Sequence, residues 1–419
     1  MATPSEPVPT QRGEPVAWIT GLGLITPLGD GAWPSFRALT QGKRLTDRAQ
    51  ALPGDIGPID LVRALGSVAC AQHSGTDPAV ELAERALLDA GANAGLEPSA
   101  LGGMPVMLGM SKGAMASLGA AAAEHLGEPD SSLRGGLKPH RPADRQLALA
   151  LGPVGYIAHH LHRRLGVDAG AGVVAACASG LAALHLAQRR MRDEGLQRVA
   201  VVSCEAALFP AFIHSYRRLG VLPPLDPVGY LGRPLDEQRS GFIPVEQAAA
   251  LILQAPVKGQ ACPVGAVELL GSDLACDAHD LIRSDPAQLA LRRIAQRLLG
   301  LGPWDLLHPH ATGTAEHDPP EMLAYAQTLA QAGVSCPDVY ANKGALGHGL
   351  GCSGLASLVI ACLCARSRRR PPMPWIERPI DSGLSIRKDA PGPLPLRSTH
   401  AVFAAGFGGH VAGAVIRGG

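Results

Sequence analysis

Aromatic side chains are scarce in this sequence, at 4% of residues. That scarcity excludes the stacking platforms on which single-stranded nucleic acids are bound. Charge of one sign is missing too: 37 Lys and Arg against 36 Asp and Glu leave a net +1. A nucleic-acid binder ordinarily carries a basic excess, so no nucleic acid is expected as a partner. The nine cysteines contain no Cys-x-x-Cys pair. An odd count at irregular spacing argues for reduced thiols, and these suit a cytoplasmic protein. Long apolar runs are lacking. The longest, "GLASLVIACLCA" at 354–365, falls short of the ~20 residues a membrane span needs. The opening "MATPSEPVPTQRGEP" lacks the basic-then-apolar order of a signal peptide, and residues 1–15 read as a disordered tail. A dinucleotide fingerprint is also absent, because Thr26 stands in "GLGLIT" where the third glycine would be.

What is present is a chain of 419 residues, 46% of them hydrophobic. That is enough for two domains, or for one large fold built from two halves. The expected halves are 16–256 and 257–419. In the first, "VAWITGLGLI" reads as a strand and "TDPAVELAERALLDAG" (76–91) as a helix. Thr76 or Asp77 would cap that helix, with Pro78 in its first turn and Gly91 at its end. "GEPDSSLRGGLKPHRPADRQ" is a breaker-rich loop, and a helical "GYIAHHLHRRLG" follows it. "VAVV" and "AAALILQA" are buried strands. In the second half, "PVGAVELLGS" is a strand and "DPAQLALRRIAQRLLG" (285–300) a helix. "WDLLHPHATGT", "DVYANKGALGHGLGCSG" and "HAVFAAGFGGHVAGAVI" each run from a strand into a glycine-rich loop. Alternating strands and helices give an α/β protein. Self-similarity between the halves is weak at residue level.

The stretch "VVAACASGLAALHLAQ" places Cys177 between a strand end and a helix that Gly195 stops. A thiol at a helix start feels backbone N–H groups, which favour thiolate and lower its pKa. Small neighbours leave room for an electrophile. Core filler remains the alternative at this point. His310 and His348 each follow an apolar strand in a glycine-rich loop, as catalytic histidines do. His308 and His317 lie close in sequence, but no carboxylate or thiol spacing completes a metal site. The arginines of "RSRRRPPMP" read as a solvated helix end, with docking of an acidic partner the other reading.

Taken together, these motifs resemble the β-ketoacyl-acyl-carrier-protein synthases, as a divergent member. The matching stretches are "ITGLGLITPLG", "AACASG", "CEAAL", "GRPLDEQRSGF", "HATGTAEHDPPE", "NKGALGHGLGCSG" and "GFGGH". Their shared order and spacing carry the resemblance, which runs from about Val16 to Ile416. It implies a thiolase-like α/β fold, two similar βα halves in five layers (αβαβα). It implies Cys177 as acyl acceptor, His310 and His348 as enolate-binding donors, and Lys343 as the charge beside them. The N–H groups of Cys177 and Phe407 would hold the oxyanion, with Phe407 also a gate. Thr312 and Thr314 would bind the pantetheine arm, and Asp318 and Glu321 would support the His310 loop. It implies no tightly bound cofactor and no metal, since an acyl carrier protein supplies the phosphopantetheine arm. The substrates would be acyl and malonyl thioesters. The assembly would be a homodimer, or a heterodimer with a partner ketosynthase. A non-catalytic chain-length partner and an acyltransferase or thioester hydrolase are the competing functions. Departures from the family pattern fall at Val245, Gln247, Ser203, Cys204, Ala404 and Ala405. Ser357 also stands where a glutamate is usual, and this puts the charge balance around Lys343 in question.

Overall fold

A computed structural model describes residues 14–52, 56–68, 77–125, 142–224, 232–390 and 392–419. Most of the expected tail, Thr76 and most of the loop at 127–146 lie outside them. Ten strands follow one hydrogen-bonded path. In chain order they are β1 (Ala17–Thr26), β2 (Pro105–Gly109), β3 (Asp168–Val173), β4 (Arg198–Glu205) and β5 (Gln247–Gln254). Then come β6 (Val267–Cys276), β7 (Leu306–His308), β8 (Asp338–Val339), β9 (Thr399–Gly406) and β10 (His410–Gly418). The spatial order is β3-β2-β4-β5-β1, then β6-β10-β9-β7-β8. Only Ala17, Trp18 and Ile19 of β1 pair with β6, so two five-stranded blocks meet at a short seam.

Both blocks are wound alike. In the first, β3, β2 and β4 run parallel and β5 is antiparallel to both its neighbours. In the second, β8, β7 and β9 run parallel and β10 is antiparallel to both of its own. Helices α1 (Pro78–Asn93) and α2 (Pro142–Leu165) cover the outer side of the first block. Helices α4 (Leu289–Leu299) and α5 (Asp318–Ala332) cover the second. Between the blocks lie α3 (Ser179–Glu194) and α6 (Ser353–Ser367). The result is five layers. Central strands are therefore apolar on both faces. On β5, Ala249, Leu251 and Leu253 join the inner core, while Ala248, Ala250 and Ile252 join the outer one. Each such leucine contributes about 2 kcal/mol by leaving water.

The crossing of α3 and α6 is close because each has glycine as its second residue. A Cβ on Gly180 would sit 2.8 Å from the Leu355 Cβ, and one on Gly354 would sit 3.0 Å from Leu181 Cγ. The contact is reciprocal. It brings the N-terminal ends of both helices, and the loops before them, to one place. Helix α6 with its preceding turn, Leu350–Ser367, is apolar and long enough to cross a membrane by composition, yet 89% of it is buried inside the protein. It is the core helix, and that explains its composition.

Several local expectations need correction. Helix α1 runs past Gly91 to Asn93. Gly91 packs against Leu101, and the chain turns at Gly95, whose φ is +70°. Asp77 caps it, its carboxylate accepting from Ala79 N at 2.9 Å and from Ser117 N at 2.7 Å. Helix α4 starts at Leu289, because Asp285 first binds the amides of Ala287 and Leu289 in a turn. The arginine run is not one solvated patch. Arg368 and Arg369 are exposed, but Arg370 is buried against Asp338 at 2.5 Å.

Candidate active site

The site lies where the C-terminal ends of the strands meet the central helices. Cys177 occupies the short turn between β3 and α3. Ala176 before it has φ +46°, a conformation that small side chains tolerate best. Ser179 locks the turn: its hydroxyl donates to Ala176 O at 2.6 Å and accepts from Ala175 N at 2.9 Å. The end of β9 presses on the same turn. A Cβ on Gly406 would lie 2.7 Å from Cys177 N, so no other residue fits there. Phe407 follows in the tight turn into β10, half-buried, with Gly408 at φ +80° and Gly409 at φ +77°.

The histidines come from the other block. The Cys177 Sγ and one ring nitrogen each of His310 and His348 lie within 4.8 Å of one another. The two rings are 5.5 Å apart at 75°. His310 leaves the end of β7 through Ala311, whose φ is +36°. Glu321 on α5 pins that bend. Its carboxylate accepts from His310 N at 2.6 Å, Ala311 N at 2.8 Å and the Tyr325 hydroxyl at 3.0 Å. Asp318 does the same one step on, accepting from Gly313 N at 2.9 Å and Leu235 N at 2.9 Å. Thr312 and Thr314 are buried beside it, their hydroxyls 3.1 Å apart. His348 is held by its backbone to Ile243 O at 2.7 Å, and its ring stands edge-on to Phe242 at 4.6 Å. His308 goes elsewhere. It stacks on His400 at 5.7 Å in the core, so the His-Pro-His spacing does not gather ligands.

Burial decides the protonation states. It pushes both His310 and His348 well below the usual imidazole range, and the Lys343 charge pushes the same way. Both are neutral N–H donors. Lys343 is itself buried and donates to His310 O. Burial lowers it to about 8, although Glu321, the Cys177 sulfur and Asp318 pull upward. Burial pushes Cys177 up to about 12 against the pull of Lys343 and Lys112. The expected lowering of the Cys177 pKa is corrected: burial raises it instead, and the thiol keeps its proton near neutral pH. Cys177, His310 and His348 are also, among the described residues, the one grouping whose donors could converge on a cation. The Lys343 ammonium beside them opposes a divalent ion and favours catalytic roles.

Residues 63–257 match the family described as "Beta-ketoacyl synthase, N-terminal domain", and 267–377 match its C-terminal domain. The chain belongs to the β-ketoacyl synthase family. The 3-oxoacyl-[acyl-carrier-protein] synthase 2 of Mycobacterium bovis is 28% identical over 286 residues, 66% of each chain and so just under two thirds of that relative. The ketoacyl synthase alpha subunit of the tetracenomycin polyketide synthase of Streptomyces glaucescens is 25% identical, covering 88% of this chain and 89% of that one. Among solved structures, a type II polyketide acyl-carrier protein in complex with its ketosynthase superposes with a TM-score of 0.76. It is 20% identical and covers 97% of this chain and 100% of that one. The fold is thiolase-like.

Two of the chain's departures from the family pattern, Val245 and Gln247, sit beside the His348 loop. Val245 fills the space over Gly347, where a Cβ would meet it at 2.4 Å, and Gln247 lies over Gly349 at 2.1 Å. The loop is packed at these points, and both glycines are obligatory. Ser357 does not reach Lys343. It accepts from Asn342 Nδ2 at 2.9 Å and donates to Ser353 O. The carboxylates that balance Lys343 are Glu321 and Asp318. Three neighbours escaped sequence reasoning as site residues: Phe242, edge-on to His348, Tyr216, packed behind Phe242, and His317, packed against His310. Only His317 left a signal, its i, i+4 spacing to Glu321.

Proposed function

We propose that this synthase joins an acyl group to a malonyl-derived unit by decarboxylative Claisen condensation on an acyl carrier protein. The observation that carries the reading is the approach of one thiol and two neutral imidazoles within 4.8 Å. Cys177 Sγ attacks the incoming thioester carbonyl, its proton passes to the departing pantetheine thiol by way of a neighbouring imidazole, and an acyl-enzyme results. The N–H groups of Cys177 and Phe407 serve as oxyanion donors. A donor of this kind contributes about 3 kcal/mol. Malonyl thioester then occupies the vacated arm site, with Thr312 and Thr314 bonding its amides. Loss of CO₂ leaves an enolate whose oxygen accepts from His310 and His348. The enolate carbon attacks the Cys177 thioester, forming a 3-ketoacyl carrier thioester and expelling Cys177 as a thiolate, which takes up a proton from solvent to restore the free thiol. Lys343 keeps both imidazoles neutral, and Asp318 and Glu321 hold the His310 loop.

The carrier protein and a second ketosynthase copy are the partners this reading requires. Strand β3 ends the sheet path with Asp168, Gly170 and Gly172 exposed, and Val174 beside it is 60% exposed. An open edge of this kind suits pairing with a second copy. The experiment is mass spectrometry of Cys177 and of the carrier after mixing with acyl- and malonyl-carrier. A carrier product two carbons longer is expected. An acyl-enzyme that only hydrolyses would make the chain an acyltransferase or hydrolase. No acylation at all would make it a chain-length partner.

A further inference from the structure

His317 stands at the start of α5, seven residues past His310 in the same motif, and its side chain is only 13% exposed. Its ring lies 5.1 Å from that of His310 at 89°. Its Nε2 is 3.5 Å from Glu321 Oε2, an ion-pair distance. Glu321 is the carboxylate that pins the His310 and Ala311 amides. One imidazole therefore touches both the ring of His310 and the group that fixes its backbone.

We propose that His317 is a positioning residue for His310: as an imidazolium paired with Glu321, it holds the His310 ring in place and keeps it neutral. The inference rests on the condensing function proposed above. The groups facing His317 are Glu321 and Asp318 on its own helix, His310 on the β7 loop, and Lys343 and His348 on the β8 loop. Burial alone would lower His317, but Glu321 and Asp318 outweigh it and raise it, against Lys343. Its charge in turn lowers His310 and His348. The chemical consequence concerns the enolate. A neutral imidazole donates a hydrogen bond and keeps its proton. An imidazolium at His310 would hand that proton to the enolate carbon, giving an acetyl-carrier in place of the extended product. His317 thus biases the synthase toward condensation at mildly acidic pH.

The test is His317→Gln, which retains an amide N–H toward Glu321 but no charge, with His317→Asn as the second variant should the first aggregate. The ratio of 3-ketoacyl-carrier to acetyl-carrier is read from about pH 6 to about pH 8, and the NMR titration of the His310 ring is carried downward from about pH 8 until the ring protonates. Removing a charge this close should raise the His310 midpoint by about one pH unit and cut the product ratio by about tenfold at the acid end. The difference from wild type should shrink as pH rises, because wild-type His317 is then neutral as well. An unchanged ratio and midpoint, or an equal fall in both products at every pH, overturns the proposal. Failure of the wild type to make any extended product would instead overturn the condensing reading, and the His310 titration still reports on the pair.

Discussion

The two blocks share one winding and divide one site. In the first, β3 leads through a short turn into α3, and the turn carries the thiol of Cys177. In the second, β8 leads through residues 340–352 into α6, and that longer loop carries Lys343 and His348. The β4 end carries Glu205, whose carboxylate accepts from the Ser111 hydroxyl at 2.7 Å and is raised by burial to about 7. The equivalent β9 end carries Gly406, bare so that it can press on Cys177 N. The difference teaches that the shared frame fixes where strand ends meet, and loop length with side-chain choice fixes the chemistry. Thiol and imidazoles come from opposite blocks, so the site exists only while the blocks are docked.

The sharpest break in that division comes from single-block substitutions. Cys177→Ala should remove acyl-enzyme formation, a loss of about a thousandfold or more in condensation. It leaves the second block's malonyl decarboxylation measurable as CO₂ release. His310→Ala should remove both. Equal loss of decarboxylation in both variants would deny that the blocks divide the steps.

Next in size is the docking itself. Gly180→Val puts branched carbon into Leu355, where even a Cβ lies at 2.8 Å. Overpacking of this kind costs about 3 kcal/mol, and urea melts should read it. Activity should fall further than stability explains, because both helix starts move apart. A variant with native stability and native turnover would mean that the glycine contact does not set the site.

The pH dependence follows from Lys343. Burial holds it at about 8, so it is a cation below that pH and loses its proton above it. Turnover should therefore decline on the alkaline side with a midpoint near about 8 as the positive charge that eases ionisation of the Cys177 thiol is lost. Lys343→Met should be slow throughout and lack this limb. A limb that survives the substitution belongs to another group.

The smallest effects compare helix starts. Asp77→Ala removes a buried carboxylate that serves Ala79 N and Ser117 N, and should cost about 2 kcal/mol. Asp285→Ala, only half-buried at the equivalent start of α4, should cost about 0.5 kcal/mol. Thermal melts of the two variants rank them. Equal losses would show that burial does not separate the two caps.

Much of this was legible before any coordinates. The apolar runs at 199–202 and 248–255 gave strands because both faces of a central strand are buried. Gly195 ended α3 as expected, in a left-handed conformation at φ +68°. Gly91 misled, since a glycine can serve a close helix contact as well as a helix end. The arginine run misled because sequence does not reveal that Asp338 waits for Arg370.

The sequence by itself determined the element order, the thiol at a strand-to-helix turn and the two histidine loops. Local periodicity and turn chemistry act over a few residues, and a chain displays them openly. Only the tertiary structure decided the protonation states, the inert stacking of His308 on His400, and the placing of His317 against His310. Those depend on desolvation and on charges brought together from distant segments, and neither is written in the spacing of residues along the chain.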